Sequence, residues 1–260
     1  MKPKTLSLRV SAILTLVLLV FGYTGTATAQ TEGFETLVLN GNRIGDALIV
    51  TPNYFGINPT QGTKALLLTT ISTAGGHDSI APQSGNNAAL VTAIDDFLGV
   101  SLGSIRNNKP GAPINATGQE GSAFKLDLGF IPAGMVITFD YNFLTADLSG
   151  ARDFAFYTLT GLAGETFTFA DTLDATSATT GAGNPFNLQG SLFQTVTINI
   201  TTAGNYTLGL GVMDATNFTG PSALLVDNIV VAVPEPSTIG LGIMGAALLV
   251  ALRRRARKTS

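Results

Sequence analysis

A chain of 260 residues without cysteine or tryptophan cannot use disulfides, so core packing or bound ions must hold any domain it forms. The formal net charge of −3 hides an asymmetry: eight of the 14 Lys and Arg residues lie at the two ends, and between Arg9 and Arg253 six basic residues face all 17 acidic ones, a net of −11. Such a surface repels phosphate backbones, which argues against a nucleic-acid partner.

At the amino end, Lys2, Lys4 and Arg9 precede an apolar run over residues 10–21, and Ala27-Thr28-Ala29 follows. A positive start, a short apolar run and small residues at A-x-A spacing describe a secretory signal peptide over residues 1–29. Ala27 and Ala29 form the site for signal peptidase, with cleavage after Ala29. The run is shorter than the roughly 20 apolar residues a spanning helix needs.

Residues 30–232 read as one all-β domain. Short apolar segments at 36–39, 47–51, 65–70, 123–128, 135–143, 154–159, 166–170, 193–200, 206–212 and 223–231 are separated by Gly, Asn, Asp, Thr and Pro. In the segment from Met135 to Phe143 the odd positions are all apolar or aromatic and the even ones mostly polar, the period of a half-buried strand. Many such strands predict a sandwich. Pro132-Ala133-Gly134 and Ala203-Gly204-Asn205 supply turns. One helix is predicted over residues 88–98, capped by Asn86 or Asn87 and stopped by Gly99. Its apolar face would carry Leu90, Ile94, Phe97 and Leu98, with Asp95 and Asp96 on the solvent side.

Chemistry-bearing residues are few. His77 is the single histidine, and its neighbours Asp78 and Ser79 are too close in sequence to form a triad with it; it reads as a residue of a glycine loop. Paired carboxylates suffice for a glycosidase, and Asp140, Asp147, Asp153, Asp214 and Asp227 fall near strand ends. For a carbohydrate-binding module the candidate aromatic platform is Tyr54, Phe55 and Tyr157. No thiol exists for redox work, and a non-enzymatic protein is the expectation.

At the carboxyl end, Val233, Pro234, Glu235, Pro236, Ser237 and Thr238 precede an apolar run over residues 239–252, and Arg253, Arg254, Arg255, Arg257 and Lys258 follow. The prolines interrupt any strand or helix at the junction. The clustered cations hold their end on the cytoplasmic side, which places the middle of the chain across the membrane. Gly240, Gly242 and Gly245 match G-x-G-x-x-G, but no acidic residue follows to bind a ribose, so they read as glycines of a membrane helix.

Proline-glutamate-proline, a Gly-rich apolar helix and an arginine cluster, in that order, resemble the PEP-CTERM sorting signal of exported bacterial proteins. The resemblance implies a transmembrane sorting helix within residues 233–260, a transient anchor in the inner membrane, processing by an exosortase-type enzyme near the Pro-Glu-Pro, and delivery to the cell surface or extracellular matrix. Separately, Gly121-Ser122-Ala123-Phe124, residues 139–145, Arg152-Asp153-Phe154-Ala155-Phe156, Gly211-Val212-Met213-Asp214 and residues 222–228 resemble ectodomains of anchored surface proteins and large adhesins. That likeness implies a jelly-roll-like β-sandwich, related in shape to carbohydrate-binding modules. Some such modules hold a structural calcium at their terminal strands, which makes Glu35 and Asp227 the candidate Ca2+ ligands; a plain cross-strand hydrogen-bond role competes with that. The reading is a structural or adhesive protein of the extracellular matrix, in contact with polysaccharide. A carbohydrate-binding module comes second and a glycoside hydrolase third.

Overall fold

The alternating segments become strands of two facing antiparallel sheets. The computed structural model describes residues 30–37, 39, 41–78, 80–112, 116–147, 152–160, 166–179, 183–190 and 192–232. The predicted signal peptide, with Ala27 and Ala29, and the tail from Val233 through Lys258 lie outside the described residues.

In chain order come β1 (Gln30–Glu32), β2 (Arg43–Ile44), β3 (Asp46–Val50), β4 (Ala65–Thr69) and β5 (Ala89–Leu90), then the helix α1 (Val91–Leu98). The long strands β6 (Gly118–Ile131), β7 (Val136–Thr145) and β8 (Phe154–Thr160) follow, with β9 (Thr166–Asp171), β10 (Ser177–Ala178) and β11 (Leu188–Gln189). The chain closes on β12 (Gln194–Asn199), β13 (Gly204–Ala215) and β14 (Ser222–Ala232). One sheet has the order β10-β11-β7-β14-β4-β3, with β12 also on β7 and β1 also on β14. The other has the order β2-β6-β13-β8-β9, with β5 also on β6. The β6–β7 and β13–β14 connections each carry the chain from one sheet to the other.

The period-two pattern decides which face meets the core. Ile137, Phe139, Tyr141 and Phe143 of β7 are buried against Leu208, Leu210 and Val212 of β13 and Leu224 and Val226 of β14 in the main core. A register slip between Asp227 and Val230 lets Ile229 and Val231 rejoin the same core. Two satellite clusters cover the outer faces. Phe55 and Phe186 pack on Leu67, Leu144 and Leu225 of the first sheet; Ile94 and Leu98 of α1 pack with Phe154, Phe156 and Met213 of the second. The helix lies close because Gly209 beneath it has no side chain: a Cβ there would come 2.8 Å from Leu98 Cδ2.

Three local expectations need correction. Among the described residues of 36–39 there is no strand, because the chain bends at Phe34, whose φ is +58°. The helix starts at Val91, not Ala88: Ala89 and Leu90 pair with Gly121 and Glu120 instead, and Asn87 Oδ1 accepts from the Thr73 N–H and hydroxyl. Asp95 is fully buried, because residues 100–105 fold over it and the Gly103 N–H donates to its Oδ2 at 2.9 Å. Gly99 does end the helix, in the left-handed region at φ +70°.

Candidate functional sites

Glu35 and Asp227 meet the same loop from two directions. The Glu35 carboxylate accepts from the Thr63 N–H at 2.5 Å, the Thr63 hydroxyl at 2.9 Å and the Lys64 N–H at 2.8 Å. The Thr63 N–H and hydroxyl hold its carboxyl below the ordinary value. Asp227 accepts from the Gln61 N–H at 2.7 Å, the Thr60 hydroxyl at 3.2 Å and the Asn228 N–H at 2.8 Å. Burial raises its carboxyl, and those donors oppose the rise. Asp140, across from Asp227 in the β14–β7 register, shares the Thr60 hydroxyl at 2.9 Å and takes the Asn228 amide at 3.0 Å. The arrangement pins residues 60–64 over the place where β4 leaves β14 and β1 takes over. N–H and O–H donors fill these carboxylates, a set suited to a hydrogen-bonded clasp rather than to Ca2+, which wants six to eight oxygens. Among the described residues, no three His, Asp or Glu side chains gather as a metal site.

The carboxylates weighed for hydrolysis sort into two places. Asp140 and Asp227 belong to the clasp. Asp153 and Asp214 do come together, with Asp147 near Asp153, but both are fully buried and a sugar cannot reach them. His77 is more than a loop residue: its Nδ1 lies 2.7 Å from Glu120 Oε1, and its ring stacks on Phe218 with centroids 4.3 Å apart.

Of the predicted aromatic platform, Phe55 is buried and Tyr54 half-buried, donating to Gln83 Oε1 at 3.0 Å. These two rings seal the outer face of the first sheet. Tyr157 is half-buried and stacks on the exposed Phe167 ring, with centroids 4.9 Å and planes 19° apart. Burial pushes the Tyr157 phenol up.

A groove that sequence reading missed lies on the second sheet, where the end of α1 meets β6, β13 and β8. Its volume is about 510 Å³, and it is lined by Phe97, Asp96, Lys125, Asp127 and Asn42, with Thr160 and Thr207. The Lys125 ammonium sits 4.3 Å over the Phe97 ring and donates to the Phe97 carbonyl at 3.0 Å, so it is fixed in place. Asp127 Oδ1 accepts the Gly129 N–H at 2.9 Å. Further along β6, Phe130 is 66% exposed. Lys125 and Asp127 look like ordinary polar alternates in the sequence; only the docked helix turns them into one wall.

Among solved structures, the chain is similar to the K1 cleaved adhesin domain of Lys-gingipain from Porphyromonas gingivalis, at 11% identity over 80% of this chain and 99% of that one, with a TM-score of 0.40. It is similar to the CBM22-1-GH10 modules of Clostridium thermocellum endo-1,4-beta-D-xylanase 10B at 12% identity and a TM-score of 0.33, over 80% of this chain and 28% of that one. The CBM22-1 xylan-binding domain of Paenibacillus barcinonensis Xyn10C gives 13% identity and a TM-score of 0.33, over 80% and 95% of the two chains. No curated protein matches the chain. Residues 232–258 match the PEP-CTERM protein-sorting motif. The chain therefore carries the sorting signal of an exported, surface-directed protein, one that implies processing by exosortase.

Proposed function

We propose that this protein is trimmed by signal peptidase and an exosortase-type enzyme and delivered to the cell surface, where its β-sandwich binds polysaccharide as an adhesive, non-enzymatic part of the extracellular matrix. The observation that carries the reading is the groove beside α1. A sugar ring offers an apolar C–H face and a rim of hydroxyls, and the groove brings Phe97 together with the polar residues Asn42, Asp96, Asp127, Thr160 and Thr207. A few placed polar groups around an apolar patch are the usual make-up of a ligand site. The Lys125 ammonium is already engaged by Phe97, and the chain between its basic ends is strongly acidic; both favour neutral glycans over uronate or sulfate polymers. Glycoside hydrolysis is disfavoured, since it needs two carboxyl groups flanking a bond in a cleft and the Asp153–Asp214 pair is sealed.

A glycan array probed with the full-length protein tests this. Binding to neutral polysaccharides is expected, with Phe97→Ala and Asp127→Ala each weakening it by about tenfold or more, as loss of a stacking or hydrogen-bonding contact does. Binding that both variants retain in full would move the site elsewhere, and the Tyr157–Phe167 shelf is then the next surface to change.

A further inference from the structure

Six inward-facing columns of the sandwich end on a polar residue at one level. On the first sheet these are Thr70, Thr145 and Ser222; on the second they are Glu120, Asp214 and Asp153, and all six are buried. The two sheets are tied there by the Ser222 hydroxyl, which donates across the gap to Asp153 Oδ2 at 2.7 Å. The β8–β13 register that sets Phe154 opposite Met213 brings Asp153 opposite Asp214, and β6, with Glu120, lies on the other side of β13. Three carboxylates therefore stand in a row on adjacent strands, an arrangement that like charges destabilise.

Two of the three are provided for. Glu120 has His77, and Asp153 has the Ala215 N–H on Oδ1 at 3.0 Å as well as Ser222 on Oδ2. Asp214, in the middle and fully buried, makes no well-formed hydrogen bond at either oxygen, with the Thr70 hydroxyl the nearby donor. An ionised carboxylate in that position bears an uncompensated desolvation cost. A neutral carboxylic acid there supplies a donor of its own. We propose that Asp214 is held as the neutral acid and donates its proton to Asp153, making the pair a pH-sensitive clamp that closes this end of the sandwich.

Among the described residues, the surroundings offer no counter-charge. Asp147, beyond the end of β7, and Asp78, on the segment after β4, are buried and act on the pair with the same sign. Arg152 turns away, its guanidinium bound to Asp171 and to the Gly111 carbonyl. His77 is engaged by Glu120. Burial first, then the charge of Asp153, pushes the Asp214 carboxyl well up, against a lowering by the Thr70 hydroxyl. Burial likewise pushes Asp153 up to about 7, against its two donors. Both values lie above the 3.8 of an ordinary aspartate, so the folded chain holds more protons than the unfolded one from there up to the raised range. Stability therefore falls as pH rises through that window, by about tenfold in the folded-to-unfolded ratio per pH unit for each extra proton held.

The test is a series of thermal melts of the full-length protein from about pH 5 to about pH 9, on wild type and Asp214→Asn, whose amide can still donate to Asp153. The wild-type melting temperature is expected to drop across the series, and that of the variant to drop less, because one of the protons held only in the folded state is gone. Infrared spectra of the wild type at neutral pH should show the carbonyl stretch of a protonated carboxyl, lost in the variant; this reading stands even if the variant folds poorly. A wild type with level melts, or with no protonated carboxyl at neutral pH, overturns the proposal. So does stabilisation by added Ca2+ that Asp214→Asn abolishes, since a cation would then hold the pair.

Discussion

Gly121 shows how closely β6 passes β13. A Cβ at that position would lie 2.0 Å from the Val212 carbonyl oxygen and 2.8 Å from Met213 Sδ. The sulfur can swing aside, but the carbonyl belongs to the β6–β13 ladder, in which Met213 faces Gly121 and Val212 faces Ser122. Gly121→Ala must therefore push the strands apart. Overpacking of this kind costs about 1–3 kcal/mol, read as a lower midpoint in denaturant with an unchanged slope. Gly45 is tight for a second reason: its φ is +81° and a Cβ would meet the Gly121 carbonyl at 2.6 Å. These two glycines let the β2–β3 corner lie against β6. Nothing in the sequence separates them from the many glycines of the turns, because close approach between strands distant in sequence leaves no local pattern.

Among the elements, α1 depends most on its surroundings. Eight residues are too few for a helix to be stable alone in water, so packing must hold it, and Ile94, fully buried beside Phe154, Phe156 and Met213, is the central contact. Ile94→Ala should cost about 2–5 kcal/mol and weaken glycan binding, since Phe97 and Leu98 line the groove on the same helix. A calorimetric melt paired with binding to the best array glycan checks both effects. The main strands were legible from alternation: β7, β8, β9, β12, β13 and β14 each lie within about three residues of the predicted segments, as their inner faces demand. The short strands β1, β2, β5, β10 and β11 were not, because two or three residues carry no period. The start of α1 was misread for a related reason. Asn87 has the composition of a cap, but Thr73 had already taken its side chain, a tertiary contact that local sequence does not announce. Asp95 was assigned to solvent on helical periodicity, which is blind to residues 100–105 folding back over it.

At the scale of the whole molecule, the two ends of the domain meet. Gln30 faces Val231 and Glu32 faces Ile229 in the β1–β14 ladder, so cleavage after Ala29 and processing beyond Ala232 would act at neighbouring points. Intact mass of protein recovered from its native host should show loss of residues 1–29 and of the segment beyond the Pro-Glu-Pro. A species that keeps Arg253 through Lys258 would instead be a permanent anchor. The sorting motif over residues 232–258 could be read from sequence because it works as a linear signal, whereas the groove and the acid pair exist only once the sheets are stacked.

The position of β14 also sets how the protein takes load. A tether at its end pulls along a strand flanked on both sides, by β7 through nine paired positions and by β4 and β1 through four and three. Tension applied that way shears all these pairs together instead of peeling them one after another. A tether at this point would therefore load a strand held on both sides, while the groove lies on the opposite sheet.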